Sequence, residues 1–351
     1  MSNSVKNISR LSQVAGKLQE RGLSPDANEG WNQASRAMDI SNDELRQAML
    51  FASISKAHQQ LGRQYEESKE KEDAKTQWEQ AAETLKESVK RLPPKENMDV
   101  PEQWATLVHV KRVQGSFFKE QKNIQDALTA YKEAFDTLKK ASSTLQKFDT
   151  NIEIIIYDEF LPEKQKILSA NAIENLHREF IALLSESSNP NKQQKIREVR
   201  ESLQAHLFAE LNYLMKVRNW KGADQKNAVL MLNIAGIEKR GYLDTSDIEK
   251  FPCPALRAID KLWVKHSEGK FGFSVQKDIL DSVSKQPGHY DNINEETWGN
   301  WVSRVGWQGS DTNYNLNQAE PGHLPRKEGV DMGGFGRLWR GFFSLSATCR
   351  L

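Results

Sequence analysis

Leu61-Gly62-Arg63-Gln64-Tyr65, followed after a short gap by Ala74-Lys75-Thr76-Gln77-Trp78-Glu79-Gln80-Ala81, is the stretch from which the fold can be read. Small residues (Gly62, Ala74, Ala81) recur at helical spacing, and large aromatics (Tyr65, Trp78) occupy the same faces. Such alternation lets two short antiparallel helices pack closely. The surrounding composition, rich in Ala, Glu, Lys, Gln and Leu with no strict period-two alternation, favours helices and argues against strands.

Moving outward, the same frame returns as Gly115, Phe118, Ala127, Tyr131 and Ala134, shifted by 53 residues at every matched position. A weaker third copy reads Ala15, Leu18, Ala27, Trp31 and Ala34, 47 residues before the first. These spacings resemble the tetratricopeptide repeat, in which helix pairs stack on one another. The long period implies insertions, including the stretch with Pro93, Pro94 and Pro101. Residues 1–150 are therefore expected to form tetratricopeptide-like helical repeats. Residues 151–205 read as a helical connector, with a polar linker at 185–192 (Ser185-Glu-Ser-Ser-Asn-Pro-Asn-Lys192) marking the approach to a second domain over 206–351.

Charge and cysteine content narrow the function classes. Lys plus Arg number 49 against 48 for Asp plus Glu. The balance also holds locally, with 30 basic and 31 acidic residues before position 206 and 19 and 17 from there on. No electrostatic field draws such a chain onto nucleic acid, so a nucleic-acid partner is not expected. The longest apolar runs, Ile154–Tyr157 and Val229–Leu232, are too short for a transmembrane helix. No secretory leader is read at Met1–Val5, and Cys253 and Cys349 are the only two cysteines, which together suggest a reducing cytoplasm. Whether those two cysteines pair is left open by the sequence. Six of the nine tryptophans (Trp220, Trp263, Trp298, Trp301, Trp307, Trp339) fall in the last 146 residues, a concentration suited to burying or binding flat aromatic surface.

The second domain carries ordered blocks: Asn219-Trp220, Val229–Leu232, Arg240–Asp244, Phe251-Pro252-Cys253, Ile259-Asp260-Lys261-Leu262-Trp263, Phe271-Gly272-Phe273-Ser274-Val275-Gln276, Val305-Gly306-Trp307 and Pro321–Pro325. In order and content they resemble the Genomes Uncoupled Four family. The resemblance implies a compact helical domain that binds protoporphyrin or magnesium protoporphyrin in a hydrophobic cleft without catalysing a reaction. It also implies action on magnesium chelatase, with that enzyme's large porphyrin-handling subunit as the first candidate partner. The repeats would hold another protein. A photosynthetic bacterium's cytoplasm is the expected setting, with peripheral membrane association compatible with it. The whole chain is expected to be all-α. The alternative reading is a helical interaction scaffold whose second domain has kept the fold and lost the pigment.

A porphyrin is a flat, mostly apolar disc with two carboxylates on one edge. Covering roughly 300 Å² of its face contributes about 7 kcal/mol before ordering losses, at about 25 cal/mol per Å². The resemblance sets loops 241–252 and 318 onward beside the cleft. Leu243, Ile248 and Phe251 in the first and His323, Leu324 and Phe335 in the second are candidate walls, and Phe271 and Phe273 are weighed equally as wall and core. Arg326, Lys327 and Arg337, with Arg340, are candidate partners for the propionates. Trp263, at helical spacing from Leu256 and Ile259, reads as core. No His or Cys pattern supports a structural metal, and His323 as an axial ligand to a porphyrin metal is a minor reading.

Overall fold

A computed structural model describes residues 3–23, 44–94, 98, 101–145, 170–290, 293–308, 312–326 and 335–351; the side chains of 3–11, 46, 101–102, 141–145 and 335–338 are excepted. Among the described residues there are thirteen helices and no strand, an all-α fold. It divides into two compact units, Met1–Val199 and Arg200–Leu351.

In the first unit α1 (Asn3–Glu20) precedes two helical hairpins, α2 (Glu44–Glu67) with α3 (Lys71–Lys90) and α4 (Pro101–Glu120) with α5 (Ile124–Leu145). The small-over-large frame explains both. A Cβ on Gly62 would stand 2.8 Å from Trp78 Cε2, and one on Gly115 would stand 2.7 Å from Tyr131 Cδ2, so each glycine permits an aromatic ring to lie on the partner helix backbone. Ala81 and Ala134 are fully buried at equivalent positions. The turns repeat too. Lys69 and Lys122 take left-handed φ values of 63° and 58°. The Glu70 amide donates to Tyr65 O (2.8 Å) and the Asn123 amide to Phe118 O (2.9 Å), the C-terminal closure that satisfies the last helical carbonyls. The same closure ends α1, where Gly22 has φ 77° and the Leu23 amide donates to Leu18 O at 2.9 Å. Ala27, Trp31 and Ala34 of the weaker copy lie outside the described residues.

Of the segment read as a connector, 151–169 lie outside the described residues, and the part from 170 to 199 contributes to this unit's core. From α6 (Ala170–Glu186), Ile173, Leu176, Phe180 and Leu183 pack with Tyr131, Phe135 and Val199. Arg112 forks onto Glu179 (2.8 and 2.6 Å), and the Tyr131 hydroxyl donates to the same carboxylate at 3.2 Å. The polar run at 185–192 is a tight turn: Asn189 Oδ1 accepts from the Asn191 amide at 2.9 Å and Lys192 Nζ donates to Ser187 O at 2.9 Å. The division between units falls later, within α7 (Lys192–Lys216).

The second unit holds the rest of α7, then α8 (Trp220–Ala235), α9 (Thr245–Glu249), α10 (Cys253–His266), α11 (Phe273–Val283), α12 (Glu295–Arg304) and α13 (Phe335–Thr348). Side-chain oxygens of Asn219, Asp244 and Asn294 cap α8, α9 and α12 by accepting from the amides of Gly222, Asp247 and Thr297. Trp263 is fully buried, stacked on Trp220 at 6.1 Å, and donates to Asn227 Oδ1 at 3.2 Å, as core. Phe271-Gly272-Phe273 is a bend entering a helix, with Gly272 at φ 140° where a Cβ would stand 2.9 Å from Asp260 Oδ1. Asp260 is buried there and accepts from the Ser274 amide at 2.9 Å; burial pushes its carboxyl above the usual carboxylate range even so.

Candidate functional site

Loop 312–326 is built on α11. The Gln276 side-chain amide donates to Gly322 O (2.9 Å) and Pro325 O (2.8 Å), while its backbone carbonyl accepts from Trp301 Nε1 at 2.9 Å. The Gly272 amide donates to Leu324 O, the Gly322 amide to Lys270 O, and Lys270 Nζ to Leu316 O at 2.6 Å. Buried Asp224 on α8 accepts the Arg326 amide at 3.0 Å. The glutamine that ends the Phe-Gly-Phe-Ser-Val-Gln block is thus the peg on which this loop hangs.

His323 is 2% exposed, and both ring nitrogens are engaged. Nε2 accepts from the Asn313 amide (3.0 Å), which leaves the proton on Nδ1 to be donated to Val305 O (2.8 Å). Burial holds its pKa below the ordinary 6.5. The ring is a neutral brace for the loop, with no nitrogen facing a ligand metal in this arrangement.

Beside the loop lies an aromatic cluster. Trp301 packs against Trp298 (4.8 Å), Trp307 (5.0 Å) and Phe343 (5.2 Å), Trp339 lies 5.0 Å from Trp307, and Phe273 lies 4.7 Å from Phe342. Such rings prefer edge-to-face or tilted contacts, as most of these are. Three of the seven rings come from α13, which also packs on α9: a Cβ on Gly341 would lie 3.8 Å from Ile248 Cγ2. Cations border it. The Arg326 guanidinium stands 5.8 Å over the Trp307 ring, and Arg340 donates to Ile293 O (2.6 Å) while its buried Nε has no partner. The far end of α13 is fastened by a disulfide between Cys253 and Cys349, and Arg257 donates to Cys349 O at 3.0 Å.

Residues 201–332 match the GUN4-like family model. An Arabidopsis thaliana protein described as "Tetrapyrrole-binding protein, chloroplastic" is 39% identical over 83 residues, 23% of this chain and 31% of its own length. "Uncharacterized protein ycf53" of Pyropia yezoensis is 35% identical over 109 residues (30% and 41%), and a Synechocystis "Ycf53-like protein" is 29% identical over 131 (36% and 53%). The chain spans about a third to a half of the length of these curated relatives. A solved ligand-free structure of Arabidopsis thaliana GUN4 is similar at 26% identity, covering 39% of this chain and 91% of that one, with a TM-score of 0.33.

Within the matched stretch the structure brings seven of the sequence-predicted residues together, but as interior. Leu243, Ile248, Phe251, Phe271, Phe273, His323 and Leu324 are each at most 5% exposed, and all but His323 belong to one apolar core. Arg326 sits at the edge of that core, half-buried. Lys327 lies outside the described residues, and Phe335 and Arg337 lie on α13 with their side chains outside them. Sequence reasoning counted the tryptophans without placing four of them in one cluster, and it left the disulfide open. The chemistry present fits a flat apolar disc with an acidic edge: tryptophan and phenylalanine faces, a guanidinium on Trp307, and an arginine Nε in want of an acceptor. The interlocked side chains mean that a disc enters only if a covering element moves. No helix among the described residues is long and apolar enough to cross a membrane.

Proposed function

We propose that the second unit binds a tetrapyrrole of the protoporphyrin type, free or with magnesium, and that the protein is a regulator and not an enzyme. The match of residues 201–332 to the GUN4-like family carries this reading. The aromatic cluster with Arg326 and Arg340 on its border supplies a physical basis: flat apolar faces hold the macrocycle, and guanidinium groups pair with its carboxylates. Leu243, Ile248, Phe251, Phe273 and Leu324 form the layer beneath, Phe271 and His323 support it, and Arg326, Lys327 and Arg337 meet the propionates. The helix pairs of the first unit dock a protein, for which the large subunit of magnesium chelatase is the leading candidate. The setting is the cytoplasm or plastid of a photosynthetic cell.

Titration of the full chain with protoporphyrin, followed by quenching of tryptophan emission, tests the reading. Saturation at one ligand per chain supports it. Replacing Arg326 and Arg337 together by Ala is expected to weaken affinity about tenfold, the scale of one lost charge-assisted contact. Unchanged affinity in that variant removes both arginines from the site. The tight packing of the seven interior residues favours a second reading, a helical scaffold that no longer takes pigment; absence of saturable quenching under both oxidising and reducing conditions selects it.

A further inference from the structure

The disulfide ties together two elements far apart in sequence, the first residue of α10 and the residue just after α13, a separation of 96. What it holds in place is specific. Helix α13 lays Trp339, Phe342 and Phe343 over Phe273, Trp301 and Trp307, and Gly341 over Ile248. Those underlying residues are the apolar surface that a flat ligand would need. A helix of fourteen residues is marginal by itself in water, so α13 depends on packing and on its covalent anchor. The two cysteines differ in burial: Cys253 is part-exposed and Cys349 is fully buried. Residues 201–332 account for the family match, whereas α13 begins at 335; the cover and its anchor point at Cys349 are features of this chain outside the matched stretch.

We propose that the Cys253–Cys349 bond is a redox latch that keeps α13 closed over the aromatic cluster, and that reduction by a dithiol frees α13 and opens the cluster to a flat aromatic ligand. The identity of that ligand as a tetrapyrrole rests on the reading above; the release of α13 does not. In the opening step a thiolate of the dithiol attacks the sulfur of Cys253, the less buried of the two residues, the S–S bond breaks, and Cys349 leaves as a thiolate that takes up a proton. The second thiol of the reductant then displaces Cys253, which is released and protonated. Two electrons and two protons pass to the protein, and the reductant ends as its own disulfide. Closing is the reverse, with an oxidised dithiol as acceptor.

The test compares the full chain oxidised and after dithiothreitol, reading backbone hydrogen exchange of peptides within 339–351. Peptides from 207–235 in the same unit serve as the internal reference. Exchange in 339–351 is expected to quicken about tenfold or more on reduction while the reference stays within twofold, the signature of a local opening. The Cys253→Ser/Cys349→Ser double variant should behave as the reduced form under both conditions, and re-oxidation of the native chain should restore protection, a check that does not depend on the variant folding. Equal exchange in both redox states overturns the latch. A second arm measures the association rate of protoporphyrin: faster association with the reduced chain supports α13 as the cover, and equal rates despite a loosened α13 overturn that role. If α13 loosens and protoporphyrin binds neither form, the latch stands and the tetrapyrrole reading fails.

Discussion

At the residue scale, two kinds of position decide how the helices sit. Gly115 and Gly62 are where they are because a ring occupies the space a side chain would take. Gly115→Ala should destabilise the first unit by about 1–3 kcal/mol, the cost of overpacking a well-filled site, because the Tyr131 ring 2.7 Å away is itself buried. Gly16→Ala is the control: nothing lies within 4 Å of its Cβ position in α1, and the change should stabilise by about 0.5–1 kcal/mol through the better helix former. Thermal melts of the two variants should move in opposite directions. His323 makes a pH prediction. Its folded pKa lies below the ordinary 6.5, so the unfolded chain takes up the proton first as pH falls. Its contribution to stability is therefore full above 6.5 and is lost progressively as pH falls from there toward the folded pKa, because the unfolded chain takes the proton while the folded ring resists it to keep Nε2 as the acceptor for the Asn313 amide. His323→Gln should flatten the acid limb of a denaturation profile; an unchanged limb would assign the acid sensitivity elsewhere, with His177 and His266, both also shifted down by burial, as the next candidates.

At the element scale, how much could be read from sequence depended on the range of the constraint. The two hairpins of the first unit were legible because the small-over-aromatic rule acts between residues that close one turn, and its 53-residue shift reappears in the turn geometry of Lys69 and Lys122. The polar run at 185–192 read as a linker, but its residues are spent on the local hydrogen bonds of a turn, and α6 before it joins the first unit's core through Phe180 and Leu183. The disulfide joins cysteines 96 residues apart, and nothing in the local pattern around either one indicates the pairing. Its contribution should be visible: the Cys253→Ser/Cys349→Ser variant is expected to lose about 2–4 kcal/mol in the second unit, the usual effect of removing a long-loop crosslink. Denaturant titration under oxidising conditions measures this, and a loss well under 1 kcal/mol would mean that α13 is held by packing alone.

At the scale of the whole molecule, the chain consists of two helical units with different habits of burial. The first stacks Ala and Gly against rings and covers its outer faces with ion pairs such as Arg91–Glu87 and Lys132–Asp136, which contribute little each and keep the surface hydrated. The second concentrates tryptophan and phenylalanine in one core. The block pattern of the second unit was legible as a family resemblance, and its residues tie the chain together: Gln276 and Trp307 donate to backbone carbonyls of loop 312–326, and Trp301 donates to the carbonyl of Gln276. That Leu243, Ile248, Phe251, Phe271 and Phe273 all fill the interior was not legible, since apolar residues serve as core or as ligand wall with the same side chains.

The most direct test of the central claim is a hydrogen-exchange footprint of the full, reduced chain with and without saturating protoporphyrin. The account predicts added protection at 241–252, at 318–326 and along 339–348, with the first unit unaffected. Protection confined to the helix pairs of residues 44–145, or none anywhere, would contradict it.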